Sequence, residues 1–174
     1  MKECLWALSN IAASSGSHIE KLIESEAFLI AVEKVLNTKK LAIKNEGLWT
    51  ICNAITGCDS NARIRIMEIT GGTVLAVLVA GARPESKEFA LFKNVMEAVD
   101  MMLKLDLERG WQKTENAIAY LFEKTGGLDA LEDAQKHADF QVYKLAHDIL
   151  QAYFEQEGME VQQPQQQSHD KFKI

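Results

Sequence analysis

A chain of 174 residues, 47% of them hydrophobic, is long enough to bury one sizeable core. Its formal net charge of −6 argues against a nucleic-acid backbone as partner and suits a basic protein partner. No apolar run approaches the roughly 20 residues that span a bilayer, so neither a nucleic-acid nor a membrane partner is expected.

Residues 1–16 hold one helix. It carries Glu3-Cys4-Leu5-Trp6-Ala7-Leu8-Ser9-Asn10, in which positions i−3, i and i+4 place Glu3, Trp6 and Asn10 on one face. It reads as the last helix of a three-helix unit whose first two helices are missing. The chain therefore reads as a fragment, or a gene model lacking its front, with Leu5, Leu8 and Ile11 open on one side and a tendency to self-associate. Residues 17–58 read as a complete unit, with helices over His18–Ser25, Phe28–Leu36 and Lys39–Thr56. The third contains Glu46-Gly47-Leu48-Trp49-Thr50-Ile51-Cys52-Asn53, where Glu, Leu, Trp and Asn each follow their first copies by 43 residues.

Residues 59–107 form the next unit. Ser60 is the expected N-cap, and Gly71-Gly72 ends the first helix with a left-handed cap. The second helix is Val74–Gly81, and Pro84 with Glu85 starts a third that runs to about Leu105. An insertion over Leu105–Lys113 precedes the last unit, within residues 108–157, whose helices are Glu115–Lys124, Leu128–His137 and Phe140–Gln156. Met67-Glu68-Ile69-Thr70-Gly71-Gly72 and Phe122-Glu123-Lys124-Thr125-Gly126-Gly127 mark equivalent turns. Residues 158–174, rich in glutamine, have nothing to bury and are expected to be disordered. A repeat of 40–47 residues built of two or three helices is the signature of HEAT and armadillo solenoids. The three helices per repeat here are read as the armadillo form, an all-α, right-handed superhelical solenoid.

An indole face attracts a cation and packs on a lysine stem, at roughly 0.5–2 kcal/mol per contact. An asparagine amide both donates and accepts, so it can hold a peptide backbone whatever its sequence. With Glu3 and Glu46 one turn earlier, each column selects lysine or arginine. A lone Trp is most often core and a lone Asn often a cap. Two copies in register, each with its acid, favour a peptide groove.

Cys4, Cys52 and Cys58 are odd in number, lack CxxC spacing and read as buried or half-buried thiols in a reducing compartment. The histidines (His18, His137, His147 and His169) are scattered, so no metal and no cofactor is expected. Nor does any nucleophile–base pairing or phosphate loop suggest an enzyme. Asp129, Glu132 and Asp133 read as a solvated face.

At KECLWALSN and NEGLWTICN the sequence resembles importin-α, the armadillo adaptor for nuclear localisation signals, whose third helices carry W-x-x-x-N. GGLDALEDAQKHADFQVYKLAHDILQAYFE is similar to that family's last repeat. The resemblance covers about residues 1–157 and implies the C-terminal repeats of a receptor that shuttles between cytoplasm and nucleus. It implies that Trp6, Asn10, Trp49 and Asn53 belong to the minor signal-binding site, with Glu3, Ser9 and Glu46 as further contacts. In the next two repeats the Trp positions fall at Glu97 and His147 and the Asn positions at Met101 and Gln151, so the ladder stops. It also implies an export receptor and a nucleoporin as partners near Phe140–Phe154, and importin-β only through an N-terminal basic segment not found here. The alternative is an armadillo scaffold in signalling or adhesion, for which Lys44 and Lys93 would line the groove.

Overall fold

The computed structural model describes residues 1–83, 88–110 and 117–154. Ten helices, and no strand, occur among these residues. In chain order they are α1 (Lys2–Ala12), α2 (Gly16–Ile23), α3 (Glu26–Asn37), α4 (Leu41–Gly57), α5 (Ser60–Thr70), α6 (Thr73–Ala82), α7 (Phe89–Arg109), α8 (Ile118–Lys124), α9 (Gly127–Gln135) and α10 (Phe140–Tyr153). After α1, the other nine fall into three triads, as expected of an armadillo solenoid. Third helices α1, α4, α7 and α10 pack side by side as one wall. Second helices α3, α6 and α9 form a row against it, and α2, α5 and α8 join each triad.

The core is one continuous cluster running between the two rows. Helix α6 is apolar on nearly every side because it is enclosed. Val74, Leu75, Val77 and Leu78 are each at most 2% exposed, between α3, α4, α7 and α9. Among the described residues no single helix is long and apolar enough to cross a membrane.

Two turns explain why the repeat divides where it does. Gly71 and Gly72 both take left-handed backbone, φ 55° and 79°, which lets α5 turn directly into α6 without the backbone strain that a residue with a Cβ would carry there. Gly126, φ 85°, does the same between α8 and α9. Inside α4 the requirement is steric instead. A Cβ on Gly47 would stand 2.6 Å from Cγ2 of Val35, so the bare backbone is what lets α4 lie close on α3.

Several boundaries differ from expectation. Asp59, not Ser60, caps α5: Asp59 is extended and its Oδ1 accepts the Ala62 N–H at 2.8 Å, while Ser60 is the first helical residue. Helix α7 does not end at Leu105 but runs to Arg109 and stops at Gly110, φ 68°. The start of the expected insertion is thus helix, held there because Leu105 and Asp106 are buried. Asp106 accepts the N–H groups of Ile118 and Ala119, each at 2.8 Å, and so caps α8 from another helix. Burial raises its carboxyl above the usual range, opposed by those two N–H groups. Helix α8 begins at Ile118 rather than Glu115, and α10 ends at Tyr153. Pro84, Glu85, residues 111–116 and the tail from Gly158 lie outside the described residues.

Candidate peptide-binding wall

The two Trp–Asn columns stand on adjacent helices of the wall. On α1, Trp6 is 55% exposed, and Glu3 and Asn10 are exposed with it. Among the described residues the Asn10 side chain makes no hydrogen bond. On α4, Trp49 is half-buried and packs on the core, with Glu46 and Asn53 also half-buried. Glu3 and Glu46 enter none of the ion pairs among the described residues. Both charges thus remain available on the face that carries the indoles.

Ser9 is used differently. It is buried, and its hydroxyl donates to the carbonyl of Trp6 at 2.8 Å, inside its own helix. The Ser9 carbonyl meanwhile accepts from Asn53 Nδ2 across the α1–α4 seam at 3.2 Å. Asn53 Oδ1 in turn accepts from Asn94 Nδ2 on α7 at 2.8 Å. A chain of amides therefore crosses three helices of the wall, from α7 through α4 to α1. It fixes which end of the Asn53 amide is which, and leaves one N–H and one lone pair for a ligand. Buried Thr50 adds a second tie, its hydroxyl 3.1 Å from Leu5 O and 2.9 Å from Glu46 O, sharing one hydrogen between them.

Asn94 and Thr50 are the residues sequence reading missed. The alignment that sets Glu97 at the Trp position puts Asn94 at the position of Glu46, so a polar residue there was visible. Its bond was not, because the partner lies 41 residues away.

Beyond α4 the surface changes. Glu97 pairs with Lys93 at 3.7 Å. Met101 is half-buried, under the Arg63 guanidinium at 3.4 Å. On α10, His147 stacks on Tyr143 (5.6 Å between centroids) and Tyr143 on Phe140 (6.1 Å). Lys144, which takes the Glu46 position on α10, pairs with Asp148 at 2.6 Å. Tyr153 ties α10 to α7 by donating to Asp100 Oδ1 at 2.7 Å, and burial with this neighbouring carboxylate raises its phenol well above the ordinary value. Away from the wall, a cavity of about 570 Å³ between α2, α5 and the end of α7 is crossed by an Arg65–Glu24 pair at 3.2 Å. Among the described residues no group of three His, Cys, Asp or Glu side chains is placed to hold a metal ion.

Known proteins agree with this architecture. Residues 116–168 match the atypical Arm repeat. The chain is 27% identical to importin subunit alpha-2 of Oryza sativa subsp. japonica over 154 residues, 88% of this chain and 28% of that protein. It is 28% identical to importin subunit alpha-4 of Arabidopsis thaliana over 159 residues, 91% of this chain and 29% of that protein. It thus spans less than a third of either relative. Among solved structures, a designed armadillo repeat protein superposes with a TM-score of 0.64 at 24% identity, over 87% of this chain and 57% of that one. Another, solved in complex with the peptide (KR)4, superposes with a TM-score of 0.51 at 25% identity, over 87% of this chain and 74% of that one. The chain thus has the armadillo-repeat fold, and its sequence is similar to those of importin α subunits.

Proposed function

We propose that the α1–α4 part of the wall binds the basic residues of an extended peptide, and that the chain serves as the C-terminal, signal-binding part of an importin-α-like nuclear import receptor. The observation that carries this is the pair of indole–amide–carboxylate columns on neighbouring helices, with both carboxylates free of ion pairs among the described residues. Adjacent helix axes lie about 8–10 Å apart and an extended chain rises about 3.3 Å per residue. The two columns therefore meet side chains two to three residues apart. Trp6 and Trp49 take the lysine or arginine stems, Glu3 and Glu46 supply the charge, and Asn10 and Asn53 hold the peptide backbone. Ser9 contributes through its carbonyl, by holding Asn53. The designed relative's (KR)4 partner supports the same chemistry, as do the importin α names of the sequence relatives. On this reading the protein moves between cytoplasm and nucleus, and the α10 surface near Phe140–Phe154 serves export-receptor or nucleoporin docking.

Fluorescence anisotropy with a labelled two-part basic peptide tests it. Salt-sensitive binding, lost in Trp6→Ala and absent for an acidic control peptide, is the expected result. Trp6→Ala is the informative variant because its ring is exposed and the fold does not depend on it. Unchanged binding in Trp6→Ala, or preference for the acidic peptide, would sink the proposal in favour of an armadillo scaffold for other peptides.

A further inference from the structure

The wall does not end where the Trp–Asn ladder ends. Between α7 and α10 lies a pocket of about 460 Å³, lined by Phe89, Lys93, Phe140, Lys144, Leu145 and Asp148. Its lining comes from third helices only, so it continues the surface that carries Trp6 and Trp49. Phe140 is 70% exposed at its edge. From there the stacked rings of Phe140, Tyr143 and His147 run back along α10 to the position that Trp49 occupies on α4.

The charge on the wall changes over the same distance. The position that is Glu3 on α1 and Glu46 on α4 becomes Asn94 on α7 and Lys144 on α10. A lysine or arginine that the first two columns attract would meet an ammonium at the fourth. The nearby carboxylates of Glu97 and Asp148 are already paired, with Lys93 and Lys144. Apart from the exposed Gln141 amide, what remains there among the described residues is the apolar surface of Phe89, Phe140 and Leu145. An aromatic or large aliphatic side chain fits that surface, and a basic one does not.

We infer that this pocket is a second subsite for the same extended peptide, taking an apolar side chain about six residues from the residue held on Trp49. The spacing follows from two helix steps of about 9 Å each, with a shift of roughly 10 Å along α10 from His147 to Phe140, covered by an extended chain at about 3.3 Å per residue. The ligand class is therefore a basic cluster followed or preceded, after a fixed spacer, by a Phe or Leu. The inference rests on the peptide-binding reading above.

Three labelled peptides test it by anisotropy: the basic cluster alone, and the same cluster with a Phe placed six residues to its N-terminal or its C-terminal side. One of the two extended peptides binds about tenfold tighter than the cluster alone, as expected for burying most of one ring. In Phe140→Ala that peptide returns to the affinity of the cluster alone, whereas moving the Phe to a three-residue spacer removes the gain in the unaltered chain. Equal affinity of all three peptides overturns the subsite while leaving the peptide-binding reading intact. A gain that persists in Phe140→Ala, or that is indifferent to spacer length, overturns it as well. If no peptide binds, both readings fall together.

Discussion

Helices α1 and α4 spell the same column, yet the structure gives the two copies different burdens. Trp6 stands 55% exposed, Asn10 is unbonded among the described residues, and Cys4 between them and Glu3 faces solvent. On α4 the indole is half-buried, the amide is bonded on both sides, and the residue equivalent to Cys4 is Gly47, pressed onto Val35. The difference is one of position in the array. Helix α4 has third helices packed on both sides, whereas α1 has one on a single side. The same motif is thus more structural where a third helix packs on both of its sides.

The largest expected effect separates the two tryptophans. Trp49→Ala removes a ring packed on the core and is expected to lower unfolding free energy by about 2–4 kcal/mol, less than a fully buried ring would. Trp6→Ala is expected to change it by less than about 0.5 kcal/mol, as for an exposed site. Urea denaturation of each variant checks this, and equal losses would show that the columns are not structurally distinct. Gly47→Ala comes next. Its Cβ would meet Val35 Cγ2 at 2.6 Å, and overpacking of this kind costs about 1–3 kcal/mol. Cys4→Ala, at the same motif position on α1, should leave the denaturation midpoint where it was.

The asparagines sharpen the contrast at smaller scale. Asn53→Ala breaks its bonds to Ser9 O and Asn94 and is expected to cost about 1–2 kcal/mol, while Asn10→Ala costs nothing measurable in stability. A double-mutant cycle between Asn53 and Asn94 should return a coupling of about 0.5–1 kcal/mol. Zero coupling would mean that the amide chain across the wall does not hold Asn53 in place.

The triads, the glycine turns at Gly71-Gly72 and Gly126, and the positions of both columns were legible because each is written in local spacing. What stayed hidden depends on distant neighbours. Asp59 and Ser60 are both good caps on paper; the Asp59 carboxylate reaches Ala62 N and takes the role. Helix α7 outlasts Leu105 because α8 docks on it and Asp106 must meet two of the α8 N–H groups. The sequence marks Asn53 as a polar residue on the groove face. It cannot show that Ser9, 44 residues earlier, and Asn94, 41 residues later, consume half of its hydrogen bonds.

The thiols give the mildest probe of the same contrast, since one lies on each of α1 and α4 and a third lies just past α4. Cys4 is exposed, whereas Cys52 and Cys58 are buried. Desolvation pushes the Cys58 thiol up to about 11, with the charge of Arg63 opposing it, and raises Cys52 as well. The reactive species is the thiolate, so at pH 8 a thiol-specific chromogenic reagent should consume one equivalent at once and the other two only after unfolding. The same shifts set a sign for pH dependence. In the native chain these two thiols keep protons that the unfolded chain releases near 9. Stability associated with them is therefore intact below pH 9 and falls as pH rises toward 11. Compared with the unaltered chain, Cys58→Ala should lose less stability between pH 9 and 11. Immediate reaction of all three thiols at pH 8 would mean that the α4 column opens as readily as the α1 column, and the distinction between them would fail.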